Sequence, residues 1–239
     1  MKVVLFCGGL GTRLKAYSDT IPKPMVTIGD RPILWHLMRY YAHYGHTEFI
    51  LCLGYRGDVI AQHFAEDPDA CDPSWRVTCV DTGLHASVGE RLVAVRSHVE
   101  DDALFLANYS DALSDLDLSA YLEFCARQAT IAAFASVRPH HTFHVVESDE
   151  HGRVSTVRGA RDSGMRLNGG FFVLRPDVFD HIRDGEDLVE APFRRLIDAG
   201  QLSAYRHDGF WHCMDTFKDK QAFDDLVLRG TCPWEVWSR

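Results

Sequence analysis

The start of the chain constrains its fold most. Val3, Val4, Leu5, Phe6 and Cys7 form a continuous apolar run that stops at Gly8, Gly9 and Gly11. An apolar run of this length bounded by glycines reads as a buried strand running into a tight loop. Glycines let bare backbone N–H groups approach an anion closely. Thr12 and Arg13 follow, and Lys23 arrives within Pro22-Lys23-Pro24, so positive charge accompanies the loop. The stretch reads as a seat for a polyphosphate. Spacing excludes two lookalikes. No Gly-x-x-x-x-Gly-Lys-Ser/Thr is present, which removes the P-loop. After Gly9 and Gly11, the third position of a dinucleotide fingerprint is Leu14.

The rest of the first half repeats the theme of strand and helix. Apolar runs recur at residues 48–54, 103–107 and 130–137, and residues 75–80 form a strand that alternates Val77 and Cys79 with polar neighbours. Between them, helical spacing links Ile33, Leu34, Leu37, Met38 and Tyr41, with Pro32 in the first turn. It also links Val59, Ile60 and Phe64 behind Asp58 as a cap, then Leu92, Val95 and Val99 over 90–99, and residues 118–128. Strands alternating with helices predict an α/β fold, doubly wound on a mostly parallel sheet. Continuous apolar strands fit a sheet buried on both faces.

The pattern changes after Pro139. Residues 143–148 and 154–157 flank a hairpin turn at 149–152. A strand over 168–174, helices from Pro176 and over 188–199, a strand over 202–205 and a final helix over 217–228 follow. No linker, repeat or low-complexity tract interrupts the chain. Residues 1–239 therefore form one domain with a mixed sheet. Residues 1–138 make its first half, and the more antiparallel 139–239 cover the ligand.

Charge and cysteine usage narrow the function classes. The net charge is −9 and the pI about 5.8, which argues against nucleic acid or an anionic membrane as a partner. A phosphate ligand must then be held by local groups or a metal. No apolar run approaches the roughly 20 residues of a membrane span, and the N-terminal run is a core strand rather than a signal peptide. Seven cysteines without any Cys-x-x-Cys read as thiols in a reducing, cytoplasmic compartment, with Cys7, Cys52 and Cys79 inside apolar runs. His140, His141 and His144 read as a solvated turn rather than a metal site.

In an open parallel sheet, ligands sit beyond the carboxyl ends of the strands. The first strand ends at the glycine loop, and the run 103–107 leads to Asp111. A second acid, Asp215, stands between a strand-like stretch and the last helix. Each aspartate alone also fits a cap. Together, converging on a phosphate loop, they suggest a Mg²⁺ site completed by substrate phosphates and water.

These residues, in order along nearly the whole chain, resemble the sugar-1-phosphate nucleotidyltransferase family. The resemblance is carried by Gly8-Gly-Leu-Gly-Thr-Arg-Leu14, Pro22-Lys-Pro-Met25, Arg31-Pro-Ile-Leu-Trp-His36, Gly54-Tyr-Arg-Gly57, Asp81-Thr-Gly83, Asn168-Gly-Gly-Phe-Phe-Val173, Gly209-Phe-Trp211 and Met214-Asp-Thr216. The glucose-1-phosphate cytidylyltransferase branch is nearest, on Ile-Leu-Trp-His and the tail Pro233-Trp-Glu-Val-Trp237. The resemblance implies a Rossmann-like, GT-A-like fold and transfer of CMP from CTP to glucose 1-phosphate, releasing pyrophosphate. It places Phe6, Gly8, Gly9, Leu10, Gly11, Thr12, Arg13, Lys23, Arg91 and Ser110 at the nucleotide. Arg13 would steady the leaving pyrophosphate and Lys23 would contact the phosphates at the reacting centre. Asp111 and Asp215 would hold Mg²⁺, Asn168 and Gly169 would face the sugar, and the enzyme would be a homo-oligomer.

The chain departs from the family in its second half. The usual Glu-Lys-Pro before Asn-Gly-Gly is absent, and residues 157–166 carry no lysine. Arg158, Arg161 or Arg166 would have to hold the sugar phosphate, with a planar fork in place of a point charge. The family's Gly-Asp is Ser110-Asp111, its Thr-Gly-Gly is Val88-Gly89-Glu90, and an insertion between the regions of Phe64 and Trp75 is missing. Two alternatives stay open: a nucleotidyltransferase using UTP, dTTP or GTP, and a nucleotide-binding homologue without turnover.

Overall fold

β1 (Lys2–Phe6) is buried from Val3 onward, as its apolar run requires, and this places it in the middle of the sheet. The computed structural model describes residues 1–11, 21–67, 70–139 and 143–238. A small hairpin of β2 (Thr27–Ile28) and β3 (Arg31–Pro32) precedes α1 (Ile33–His43). β4 (Glu48–Leu53), α2 (Gly57–Glu66), β5 (Arg76–Asp81), α3 (Val88–Ala94), α4 (Arg96–Val99) and β6 (Phe105–Tyr109) follow. Next come β7 (Ala112–Ser114), α5 (Leu118–Gln128), β8 (Ala132–Val137), then the hairpin of β9 (His144–Ser148) and β10 (Val154–Gly159). β11 (Leu167–Asn168), β12 (Phe172–Leu174), α6 (Ala191–Asp198), β13 (Leu202–His207), β14 (Trp211–Cys213) and α7 (Phe217–Leu228) come next, before a 3-10 turn (Val236–Ser238).

β6, β1, β4 and β5 are neighbours in parallel, with Val3 opposite Leu106 on one side and Phe49 on the other. β13 lies parallel to β8. β12 runs antiparallel between β6 and β8, and β11 continues along β8 in the same sense. This is the reversed path of the main sheet. The remaining antiparallel pairs, β9 with β10 and β14 with β7, lie outside it. Successive side chains of a strand face opposite sides. Accordingly Val3 and Leu5 pack with α1, Phe223 and Trp234, whereas Val4 and Phe6 pack with Leu92, Val95, Phe179 and Phe193. The sheet is doubly wound, as the sequence predicts.

Several elements differ from expectation. The strand expected over 168–174 is bent: Gly170 and Phe171 have φ of 74° and 50°. Asn108 Oδ1 accepts the Phe171 N–H at 2.8 Å, and a Cβ on Gly170 would lie 2.3 Å from the same oxygen. A phenylalanine held at positive φ costs about 1–3 kcal/mol, offset here by complete burial of its ring. The helix expected over 90–99 breaks at Val95 into α3 and α4, although Leu92, Val95 and Val99 all stay buried. Asp58 is not a cap. The residue before α2 is Arg56, at φ 48°, and Asp58 lies in the first turn, where its charge still suits the helix dipole. Pro32 belongs to β3 rather than to the first turn of α1. The segment from Pro176 is a 3-10 helix (Pro176–His181), and the next helix shortens to α6. Cys79 is exposed because β5 is the edge strand. All seven cysteines are free thiols. Among the described residues no helix is long and apolar enough to cross a membrane.

Candidate active site

The carboxyl ends of β1, β4, β5 and β6 bring Gly8, Gly54, Thr82 and Ser110-Asp111 to one edge of the sheet. A cleft of about 310 Å³ opens there, walled by Phe6, Gly8, Gly9, Lys23, Tyr109 and Asp111 among others.

Gly8 is buried, and its backbone is anchored by Tyr55, whose N–H donates to the Gly8 carbonyl at 3.3 Å. A Cβ at Gly8 would lie 2.0 Å from Arg91 Nη1, so a larger residue there must displace the guanidinium. Arg91 is only 4% exposed. Its Nη1 donates to Leu53 O at 3.0 Å and Thr82 Oγ1 at 2.7 Å, and its Nη2 to Gly8 O at 3.1 Å and Leu84 O at 3.4 Å. Burial pushes its pKa down, and no carboxylate among the described residues forms an ion pair with it. Arg91 therefore lines the cleft while spending its terminal N–H groups on the glycine loop and its neighbours. Ser110 does likewise: its Oγ donates to Phe6 O at 2.7 Å, so the hydroxyl fixes β1 to β6 just before Asp111. Gly9 and Leu10 are exposed at the rim, and Gly11 has φ 60°. Thr12 and Arg13 lie outside the described residues.

Lys23 opens a 3-10 turn (Lys23–Met25) set by extended Pro22 and buried Pro24. Its ammonium donates to Asp111 Oδ2 at 2.6 Å and to Asp215 Oδ1 at 2.8 Å. Burial alone would push its pKa down, but the two carboxylates, Asp111 foremost, outweigh that and raise it. The acids converge because β14 pairs with β7 and the Met214 N–H donates to Asp111 O at 2.8 Å. Asp215 is not the cap of α7. Thr216 takes that place, its Oγ1 accepting the Asp219 N–H at 3.2 Å while Asp219 Oδ2 accepts the Thr216 N–H at 2.7 Å. The Asp215 carboxylate is thus turned toward Lys23.

The second half supplies another wall. Asn168 Nδ2 donates to the Tyr109 hydroxyl at 3.4 Å, and Asn168 Oδ1 accepts the Gly170 N–H at 2.9 Å. Burial pushes the Tyr109 phenol up to about 12. Gly169 packs on Val137, where a Cβ would come within 2.6 Å. Trp211 Nε1 donates to Gly169 O at 2.9 Å and also walls a cavity of about 250 Å³ shared with Arg138, Arg161 and Asp208. The arginines there differ. Arg138 pairs with Asp208 at 2.8 Å, and Arg166 is held by Asp208, Ser136 O and His207 O. Arg158 pairs with Glu147 at 2.7 Å across the β9–β10 hairpin. Arg161 is exposed, lines the cavity, and has no hydrogen-bond or ion-pair partner among the described residues.

The donor set fits a hard divalent cation. Two carboxylate oxygens already converge on one positive charge, Lys23 Nζ. Two protein carboxylates, with phosphate oxygens and water supplying the rest, is the coordination that Mg²⁺ takes at phosphate-transfer sites. No group of three or more His, Cys, Asp or Glu side chains gathers among the described residues, so an all-protein cage is not formed there. His144 is exposed on β9, and His140 and His141 lie outside the described residues.

The chain matches the family model described as nucleotidyl transferase over residues 2–220. It is 37% identical to a glucose-1-phosphate cytidylyltransferase of Salmonella typhi, covering 99% of this chain and 100% of that protein. It is 34% identical, with the same coverage, to a probable glucose-1-phosphate cytidylyltransferase of Bacillus subtilis (strain 168). These alignments run over 257 and 259 positions, longer than the 239 residues of the chain, so both relatives carry residues that it lacks. Among solved structures, the fold is shared with HddC from Yersinia pseudotuberculosis at a TM-score of 0.72 and 21% identity, covering 95% of this chain and 99% of that one. It is also shared with a UDP-glucose pyrophosphorylase from Acinetobacter baumanii at 0.74 and 19%, covering 99% and 96%.

Proposed function

The chain belongs to the nucleotidyl transferase family, and we propose that it transfers CMP from CTP to glucose 1-phosphate, releasing pyrophosphate and giving CDP-glucose. The observation that carries this reading is the convergence of Lys23, Asp111 and Asp215 beside the glycine loop. A phosphate oxygen of the sugar phosphate attacks the α-phosphorus of the nucleotide, and the bond to the β-phosphate breaks. That nucleophile is already an anion, so no side chain need remove a proton. Catalysis then rests on in-line positioning and on neutralising charge at the α-phosphate.

Each half of the site supports one substrate. The nucleotide lies along Phe6–Gly9, on a backbone that Arg91 and Ser110 hold in place. Lys23 contributes positive charge at the reacting phosphate. Asp111 and Asp215 would hold Mg²⁺, which supplies charge neutralisation at the phosphates when bound. The sugar faces Asn168 and Gly169. Arg161 is the arginine of the second half we assign to the sugar phosphate, because its guanidinium is uncommitted while Arg138, Arg158 and Arg166 are paired. A cytoplasmic setting is part of the same reading, supported by the seven free thiols, as is a homo-oligomeric form, on family resemblance.

Offering CTP, UTP, dTTP and GTP separately with glucose 1-phosphate and Mg²⁺, and following pyrophosphate, tests the nucleotide choice. CTP should give the highest kcat/KM. Preference for another nucleotide would move the enzyme to a different branch. Tight nucleotide binding without turnover of any would favour a binding homologue.

A further inference from the structure

Lys23 sits between the two carboxylates that would hold a cation. Its Nζ lies 2.6 Å from Asp111 Oδ2 and 2.8 Å from Asp215 Oδ1, with the side chain 14% exposed. A magnesium ion binds carboxylate oxygens at about 2.0–2.1 Å. An ion bridging these two oxygens would fall within the volume that the ammonium fills, and two cations cannot share it. Resting on the proposed function, we infer that Lys23 and the metal are alternative occupants of one seat, so that metal entry and Lys23 release are one coupled event driven by the nucleotide.

Charge balance explains the coupling. With Lys23 seated, Lys23, Asp111 and Asp215 together carry one net negative charge, and burial of the three is tolerable. If Asp111 and Asp215 held Mg²⁺ instead, both acids would be neutralised and the Lys23 ammonium would need a new anion. The cleft that Lys23 and Asp111 both line receives that anion only when a nucleotide brings its phosphates. Metal binding to the nucleotide-free protein must therefore displace a well-paired lysine without compensation, and is weak. Nucleotide binding supplies the compensation. The same lysine that guards the empty seat is delivered to the phosphates when the seat is taken. The neighbouring charges are engaged elsewhere: Asp219 with Thr216 and 3.4 Å from His212, and Lys220 with Asp224.

Mn²⁺ titration of the nucleotide-free protein, followed by the free-ion EPR signal, tests the exchange. Lys23→Met keeps the stem volume and removes the charge, and Lys23→Gln serves if that variant melts early. Without nucleotide, either variant should bind Mn²⁺ at least about 10-fold more tightly than the wild type, within the usual range of coupling between sites. Adding a non-reactive α,β-methylene CTP should then tighten Mn²⁺ binding strongly in the wild type and far less in the variant. Placing Asp111→Asn on Lys23→Met should abolish the gain. Equal Mn²⁺ affinity in wild type and both variants would overturn the exchange, as would a gain that survives Asp111→Asn. Turnover with equal metal affinities would remove the exchange and leave the proposed function standing. Lost turnover with the exchange intact would do the reverse.

Discussion

Gly8 and Arg91 show what can and cannot be read from single residues. Gly8 is legible as a loop glycine because it ends an apolar run. What a larger residue there would disturb is specific: the Arg91 guanidinium fills the space a Cβ would take. Arg91 is not legible as a loop support, because its partners are mainly backbone carbonyls that no residue pattern displays. The arginines of the second half divide the same way. Sequence offers Arg158, Arg161 and Arg166 on equal terms; Arg158 is tied to Glu147 across the hairpin and Arg166 to Asp208, and of the three Arg161 lines the cavity. Charge-assisted hydrogen bonds contribute about 1.5–3 kcal/mol, so Arg161→Ala should raise KM for glucose 1-phosphate about 10- to 100-fold while leaving KM for CTP near its wild-type value. Arg158→Ala should leave both within about twofold. Steady-state kinetics with each substrate varied in turn checks the pair. A KM effect on CTP instead would take Arg161 out of the sugar-phosphate site.

Among the elements, the periodic ones are legible and the bent ones are not. α5 and α7 match their predicted spans, since an apolar stripe at helical spacing has one way to be buried. The bend between β11 and β12 escapes sequence reading because it is set by Asn108, a residue of β6, far away in the chain. α1 carries a further dependence of this kind. His36 is 4% exposed, with Nε2 3.0 Å from Ile28 O and Nδ1 3.3 Å from Trp234 Nε1. The indole can only donate, so Nδ1 accepts and Nε2 donates, and the ring is neutral. The tail that signals the family branch thus closes over the helix that carries the branch's histidine. Burial lowers the pKa of His36. The unfolded chain takes up that proton first, so stability is intact above about pH 6.5 and is lost as pH falls below it. Tm should therefore drop between pH 7.5 and 5, and the drop should shrink in His36→Gln. A pH-independent difference between the two proteins would refute the neutral, buried ring.

At the scale of the whole molecule, the doubly wound sheet follows from strands that are apolar on both faces, and burial bears this out in β1 and β6. The antiparallel character expected of residues 139–239 resolves into one reversed path and two separate ladders, one of which, β7 with β14, brings Asp111 and Asp215 together. With a net charge of −9, the molecule as a whole repels a nucleoside triphosphate. Binding must then come from the local cluster at the strand ends, and this makes the two acids and Lys23 the centre of the proposed chemistry. Its most direct test is to incubate the purified protein with CTP, glucose 1-phosphate and Mg²⁺, and to quantify CDP-glucose and pyrophosphate together. Both products should form in equal amounts and only with Mg²⁺, and kcat should fall at least about 100-fold in a folded Asp111→Asn variant. Absence of CDP-glucose from the wild-type reaction, or full activity in Asp111→Asn, would contradict it.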